Sequence, residues 1–319
     1  MLVNQHLDPR AVTSPTTAAA GFHHTLPGYA PTPVRPLSDG TLVKDESDRL
    51  GLPAFKILGA SWAVERALAE APATTTLVAA SAGNHGRAVA HEASRRGLDC
   101  RVFLPERALA VRREAIAGEG ADVVVVGGTY EECVALARQE GERSQVLEIA
   151  DVGDSGPARD VIDGYATLFD ELGRQAEFDL IVVPVGVGSL AAAAARYAAR
   201  AGIPVVGAEP ENAACLTASL AAGEPVSVPT PGTTMAGLDC AEVSAAAWPD
   251  LRAGIAGTVT VNDDEVAAAR RELVAAGLYI GESGAAPLAA LRQDGVSLGT
   301  ATRVLLVATE GPTGDPAPG

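Results

Sequence analysis

The sequence predicts an α/β protein made of two open parallel sheets covered by helices, with a cleft between the two lobes. Three observations predict it. Short β-branched apolar runs bounded by Gly, Pro and Asp recur along the chain, as in VVVV at 123–126 and LIVV at 180–183. Such runs mark strands buried on both faces. Amphipathic stretches with helical spacing alternate with them, the pattern of strand–helix–strand units. The runs form two sets, separated by the turn-rich DVGDSGP, Asp151 to Pro157.

Taken in order, residues 1 to about 40 are rich in Pro, Thr and Ala and are expected to wrap or extend. GLPAFKILGASWAV, Gly51 to Val64, opens a helix. The first set then reads strand TTLVAAS, helix NHGRAVAHEASRRG ending at a glycine, strand CRVFLP, helix RALAVRREAIAGEG, strand ADVVVVGG, helix TYEECVALARQEGE and strand SQVLEIA. The second set reads strand FDLIVVPVG, helix GSLAAAAARYAARAG, strand PVVGAEP, then TVTVN with helix NDDEVAAARRELVAAG, and a last strand TRVLLVATEG. Pro225 to Trp248 is long for a connection, which marks it as a functional loop. The tail GPTGDPAPG is expected to fray.

Composition excludes several classes. The chain has 319 residues, enough for one large or two ordinary domains. Its 24 basic and 40 acidic groups give a formal charge of −16, which opposes nucleic acid and anionic membranes. No apolar run is long enough to span a bilayer. MLVNQHLDPRAVTSPTT lacks the charged-then-apolar order of a signal peptide. Cys100, Cys133, Cys215 and Cys240 are far apart with no CxxC pair, so reduced thiols and no metal site are expected. These features predict a cytoplasmic protein.

Three places carry chemistry. Gly186, Val187, Gly188, Ser189 and Leu190 lie between a buried strand and an alanine-rich helix, where free N–H groups and the positive end of the helix dipole favour a phosphate. A dinucleotide would also fit, with Glu209 on a ribose. SAGNHG repeats the arrangement. Its Ser81, Ala82, Gly83 and His85 could hold a substrate carboxylate and Asn84 a ring oxygen, or Ser81 could be a cap and His85 a packed histidine. The third is Lys56, one ammonium between Phe55 and Ile57. A lysine in an apolar setting forms a Schiff base with an aldehyde, and pyridoxal 5′-phosphate is an aldehyde that also brings a single phosphate. Thr309, at the end of a buried strand, could meet the pyridine nitrogen as a neutral partner. Lys44, Asp45 and Glu46 could be plain solvated groups.

With these motifs placed, the chain resembles the fold-type II pyridoxal-phosphate enzymes, and among them the diaminopropionate ammonia-lyases most. The resemblance runs through FHHTLPGYAPTPVRPL, VKDESDRLGLPAFKILGAS, SAGNHGRAVA, GVGSLA, TTMAGLDC, GESGAA and ATEG. It implies that Lys56 is the Schiff-base lysine, Asn84 lies beside the cofactor's 3′-oxygen, Gly186 to Leu190 bind its phosphate and Thr309 meets its ring nitrogen. It implies a large domain from residues 1–60 and 152–319, a small domain at 61–151, and a homodimer. The family carries an aspartate where this chain has Ala82, and a second acid that Asp151 matches loosely. The implied reaction is α,β-elimination from a small amino acid, with Lys56 and Asp151 moving protons. A serine/threonine dehydratase, a racemase, a β-replacement enzyme and a non-catalytic regulatory binder are the alternatives.

Overall fold

The structure is a computed structural model that describes residues 1–293 and 303–312. The frayed tail expected beyond Pro312, and Thr302 at the start of the last predicted strand, lie outside the described residues. The described strands are β1 (Leu2–Val3), β2 (Val34–Pro36), β3 (Leu42–Asp45), β4 (Thr76–Ala80), β5 (Asp99–Pro105), β6 (Asp122–Val126), β7 (Val146–Glu148), β8 (Leu180–Pro184), β9 (Val205–Pro210), β10 (Gly257–Val261) and β11 (Val304–Ala308). The helices are α1 (Ala18–His23), α2 (Lys56–Glu70), α3 (Asn84–Arg96), α4 (Ala110–Gly118), α5 (Tyr130–Gly141), α6 (Gly156–Gln175), α7 (Ser189–Ala201), α8 (Cys215–Ala222), α9 (Trp248–Gly254), α10 (Asp263–Ala275) and α11 (Glu282–Arg292).

The chain divides into two compact units. One combines Met1–Phe55 with the chain from Tyr165 onward; the other is Lys56–Gly164. The small domain implied by resemblance ran from 61 to 151, whereas the second compact unit begins with α2 and takes in the first half of α6. Close helix packing accounts for that extension. A Cβ on Gly164 would stand 2.5 Å from the Leu58 carbonyl oxygen, so α6 meets α2 there without room for a side chain.

In the first unit, the sheet order is β1-β10-β9-β8-β11-β3-β2. The five inner strands pair in parallel, while β1 and β2 close the edges antiparallel. Residues 1–40 thus supply both edge strands of this sheet as well as wrapping it. β8, LIVVP, is buried along its whole length, as expected for a central parallel strand covered on both faces. In the second unit the order is β6-β5-β4-β7, all parallel. Helix α6 is absent from the elements the sequence predicts, although Val161, Tyr165, Leu168 and Leu172 recur at helical spacing and are fully buried.

One expectation is overturned. Lys44 and Glu46 are not solvated; both are fully buried, with Arg49 at 1 % exposure beside them. The Arg49 guanidinium donates to both Glu46 oxygens and both Glu171 oxygens, at 2.6 to 2.9 Å. Lys44 Nζ donates to Glu171 Oε2 at 2.6 Å, to the Thr32 carbonyl and to Gln175. Glu171 lies 122 residues from Arg49, so no local pattern joins them. Two cations and two anions close a network in which each charge is offset by its neighbours.

Candidate active site

In the unit Lys56–Gly164, Lys56 is the first residue of α2. Its Nζ donates to Asp151 Oδ2 at 2.8 Å, so the structure joins two residues that the sequence reading linked only through resemblance. Asp151 has 10 % side-chain exposure and Lys56 21 %. Burial alone would raise the Asp151 carboxyl, but neighbouring positive charge and the Lys56 hydrogen bond pull it below the ordinary carboxylate range. His85 is buried and donates from Nε2 to the Ile149 carbonyl at 2.8 Å. Desolvation holds the His85 imidazole below its usual pKa, while Lys56 contributes both its charge and a hydrogen bond to holding Asp151 ionised. The His85 side chain therefore faces the 149–151 segment from inside, and only its backbone remains available for the carboxylate-binding role expected of it.

The turn before α3 is built for backbone donors. Gly83 occupies the N-cap without a side-chain cap bond, and no acid lies in the first helical turn. The Ser81 hydroxyl accepts from the Gly83 N–H at 3.2 Å, and a Cβ on Gly86 would lie 2.5 Å from the Ser81 carbonyl oxygen. Asn84 opens the helix and Ala82 lies between Ser81 and Gly83. Other helices in the chain are closed instead. Thr129 with Glu132 and Asn262 with Glu265 form complete capping boxes at α5 and α10.

In the first unit, Gly186, Val187 and Gly188 connect β8 to α7, and Ser189 and Leu190 begin the helix. Gly188 is the N-cap at φ +92°, again with no side-chain cap bond and no acid in the first turn. A Cβ there would strike Leu251 Cδ1 at 2.5 Å, and one on Gly186 would lie 2.9 Å from the Gly237 carbonyl oxygen. The backbone bend thus needs glycine. The long 225–248 connection packs its Gly237–Cys240 stretch against Gly186, and the Ser244 N–H donates to the Val187 carbonyl at 2.8 Å. Thr309 follows β11 at 4 % exposure, and its carbonyl accepts from the Phe55 N–H at 3.2 Å.

Comparison with known proteins decides the family. The family model described as "Pyridoxal-phosphate dependent enzyme" matches residues 25–310. The chain belongs to the pyridoxal-phosphate-dependent enzyme family. Diaminopropionate ammonia-lyase of Salmonella typhimurium is 30% identical over 354 aligned residues, covering 92% of this chain and 88% of the relative. A crystal structure of diaminopropionate ammonia-lyase from Escherichia coli, in complex with an aminoacrylate–PLP azomethine reaction intermediate, superposes with a TM-score of 0.87 at 28% identity, covering 98% and 93% of the two chains. Maize serine racemase superposes with a TM-score of 0.84 at 25% identity, covering 96% and 94%. The chain is a fold-type II member, with parallel α/β sheets as expected. The 354-position Salmonella alignment exceeds the 319 residues of this chain, so the relative carries segments that this member lacks.

The residues of this family member suit pyridoxal phosphate. A side-chain amine is held against an acid, and a glycine-cradled helix start with no acid in its first turn suits a phosphate. The dinucleotide alternative loses its ribose acid. Glu209 is fully buried and accepts from the Leu216 N–H, the Thr217 N–H and the Thr217 hydroxyl at 2.6 to 2.8 Å. It closes the start of α8.

Burial raises the Glu209 carboxyl to about 7, against 4.5 for a free glutamate. Between these two values the folded chain keeps a proton that the unfolded chain releases. The contribution of Glu209 to stability therefore falls as pH rises through that window and levels off above about 7. Glu209→Gln is expected to flatten the urea-unfolding stability between pH 5 and 8 by about 3 kcal/mol. An unchanged profile would assign the pH dependence elsewhere.

Proposed function

We propose that this chain is a pyridoxal-phosphate-dependent ammonia-lyase that eliminates the β-substituent of a small polar amino acid, with diaminopropionate the leading substrate. The contact between Lys56 Nζ and Asp151 Oδ2 carries the reading. It sets an amine beside a carboxylate that gains basicity when the amine leaves it. Bound, the cofactor would supply an electron-poor ring that accepts the electron pair released at the substrate's Cα. Lys56 would hold its aldehyde carbon, Asn84 its ring oxygen, Thr309 its ring nitrogen, and the N–H groups of Gly186 to Leu190 with the Ser189 hydroxyl its phosphate.

The chain's own groups then divide the work. The N–H groups around Ser81, Ala82, Gly83 and His85 would hold the substrate carboxylate, as the uncapped start of α3 favours. Asp151 would take the Cα proton once the Lys56 ammonium no longer neutralises it. Lys56, displaced by the incoming amine, would return a proton to the departing β-amine, which leaves only when protonated. The enamine released would hydrolyse to a 2-oxo acid and ammonia. Aminoacrylate captured in the Escherichia coli relative supports elimination here. The reading includes a cytoplasmic homodimer, consistent with the family resemblance and the acidic charge of −16.

Ala82 favours one second reading, a dehydratase or racemase acting on serine or threonine. It removes the acid expected on the other side of the substrate, and serine racemase is among the structures this chain resembles. Mass spectrometry of products from the purified holoenzyme separates the two. Pyruvate with two ammonia molecules from diaminopropionate supports the lyase. Pyruvate or 2-oxobutyrate from serine or threonine alone, or inverted amino acid, supports the second reading.

A further inference from the structure

Among the described residues the His85 Nδ1 is a buried polar atom with no hydrogen-bond partner, and it lies 3.8 Å from Asp151 Oδ2. The other ring nitrogen settles its state. Nε2 faces the Ile149 carbonyl at 2.8 Å, and a carbonyl can only accept, so Nε2 carries the hydrogen. In the neutral ring Nδ1 is then a bare lone pair aimed at a carboxylate. Two acceptors facing each other gain nothing in the resting state, and an unpartnered buried nitrogen costs stability. The arrangement becomes favourable when one proton is added between them.

We infer that His85 is a positioning residue for Asp151, accepting at Nδ1 a hydrogen bond from the proton that Asp151 takes from the substrate. This rests on the reading of Asp151 as the base. The Cα–H bond breaks, its electron pair stays with the substrate, and the proton goes to an Asp151 oxygen. That new O–H turns toward Nδ1, closing the 3.8 Å gap by about 1 Å to hydrogen-bond length. Whether the proton rests on oxygen or on Nδ1, the pair has no net charge. In the resting chain the single negative charge of Asp151 is offset by Lys56 at 2.8 Å. The charged groups facing His85 are Asp151, which favours the imidazolium, and Lys56, which opposes it; burial opposes it most. Ile149 ties the device together, because its N–H donates to the Val78 carbonyl of β4 while its carbonyl holds His85. The chain thereby fixes the ring beside residue 151 from the sheet itself. Ala82 gives the device its purpose: position 82 offers no acid, and Asp151 is a carboxylate that this unit places next to Lys56.

The test uses His85→Gln, whose amide can still donate toward Ile149 but has no acceptor at the Nδ1 position, and Asp151→Asn. In the holoenzyme, His85→Gln is expected to keep cofactor absorption and KM while kcat falls roughly 10- to 100-fold. The acidic limb of the kcat profile should move to lower pH, because protonated Asp151 has lost its acceptor. A fall in kcat with an unmoved limb, or no change, overturns the inference. A second readout needs neither activity nor cofactor. In ¹⁵N-histidine spectra of the apo chain, neutral His85 should carry its hydrogen on Nε2. Its titration should move to higher pH in Lys56→Met and to lower pH in Asp151→Asn, each by about one unit. Indifference of His85 to Asp151→Asn overturns the inference even if His85→Gln fails to fold. Failure of the functional reading looks different: Asp151→Asn leaves turnover intact, or the wild type shows no turnover on any amino acid, whatever the histidine spectra show.

Discussion

Lys56→Ala is expected to remove the visible absorption of the cofactor-loaded chain and to lower turnover by on the order of 10³-fold or more, because a Schiff-base lysine has no substitute in the site. The fold should survive. Lys56 is partly exposed and pairs with Asp151, so its removal breaks that ion pair while α2 stays packed through Ile57, Leu58 and Ala60, all buried. Asp151 then loses the neighbouring cation and its carboxyl rises, since burial already pushes it upward. Absorption spectroscopy, borohydride reduction with peptide mapping, and far-UV circular dichroism on one preparation check all three outcomes. Retained absorption with normal turnover, or a reduced adduct on another lysine, would sink the assignment of Lys56.

The second large effect concerns stability. Glu171→Ala leaves Lys44 and Arg49 buried without the carboxylate that both contact at 2.6 Å. Breaking one partner out of a buried network costs about 3–5 kcal/mol, a large share of the stability of a domain. Arg49 keeps Glu46, its other carboxylate at 2.6 Å. Lys44 suffers more. Burial already lowers its pKa, and Glu171 is one of the groups raising it back. Without Glu171 the folded chain holds the Lys44 proton less tightly than the unfolded chain does, so the stability of the variant should rise as pH increases. Urea unfolding of Glu171→Ala at pH 7 and pH 9 measures both the loss and its partial recovery. A loss under about 1 kcal/mol, of the size found for surface pairs, would show that the network is not shielded from water.

Both effects trace to residues of very different legibility. Lys56 stood out because an ammonium in AFKIL must be used or be costly, and chain-local chemistry suffices for that argument. The glycine turns at 186–188 and 83 were legible for a similar reason. A buried strand running into a helix with no capping side chain leaves donors that only a ligand or water can meet. Asp151 could be matched only loosely, and its contact with Lys56 spans 95 residues. Lys44 and Glu46 read locally as solvated charges because the network that buries them is closed by Glu171 on α6, which bonds Lys44 and Arg49 from more than 120 residues away.

The sequence by itself determined the alternation of strands and helices, the two glycine-lined helix starts and the apolar-flanked lysine at position 56, because side-chain period and backbone freedom act over a few neighbouring residues. Tertiary structure alone decided which acid meets Lys56, which way the His85 lone pair points, and that four charges near residue 44 are out of water. Burial and charge pairing depend on what other parts of the chain bring within a few ångströms, and that distance is set by packing rather than by position along the chain.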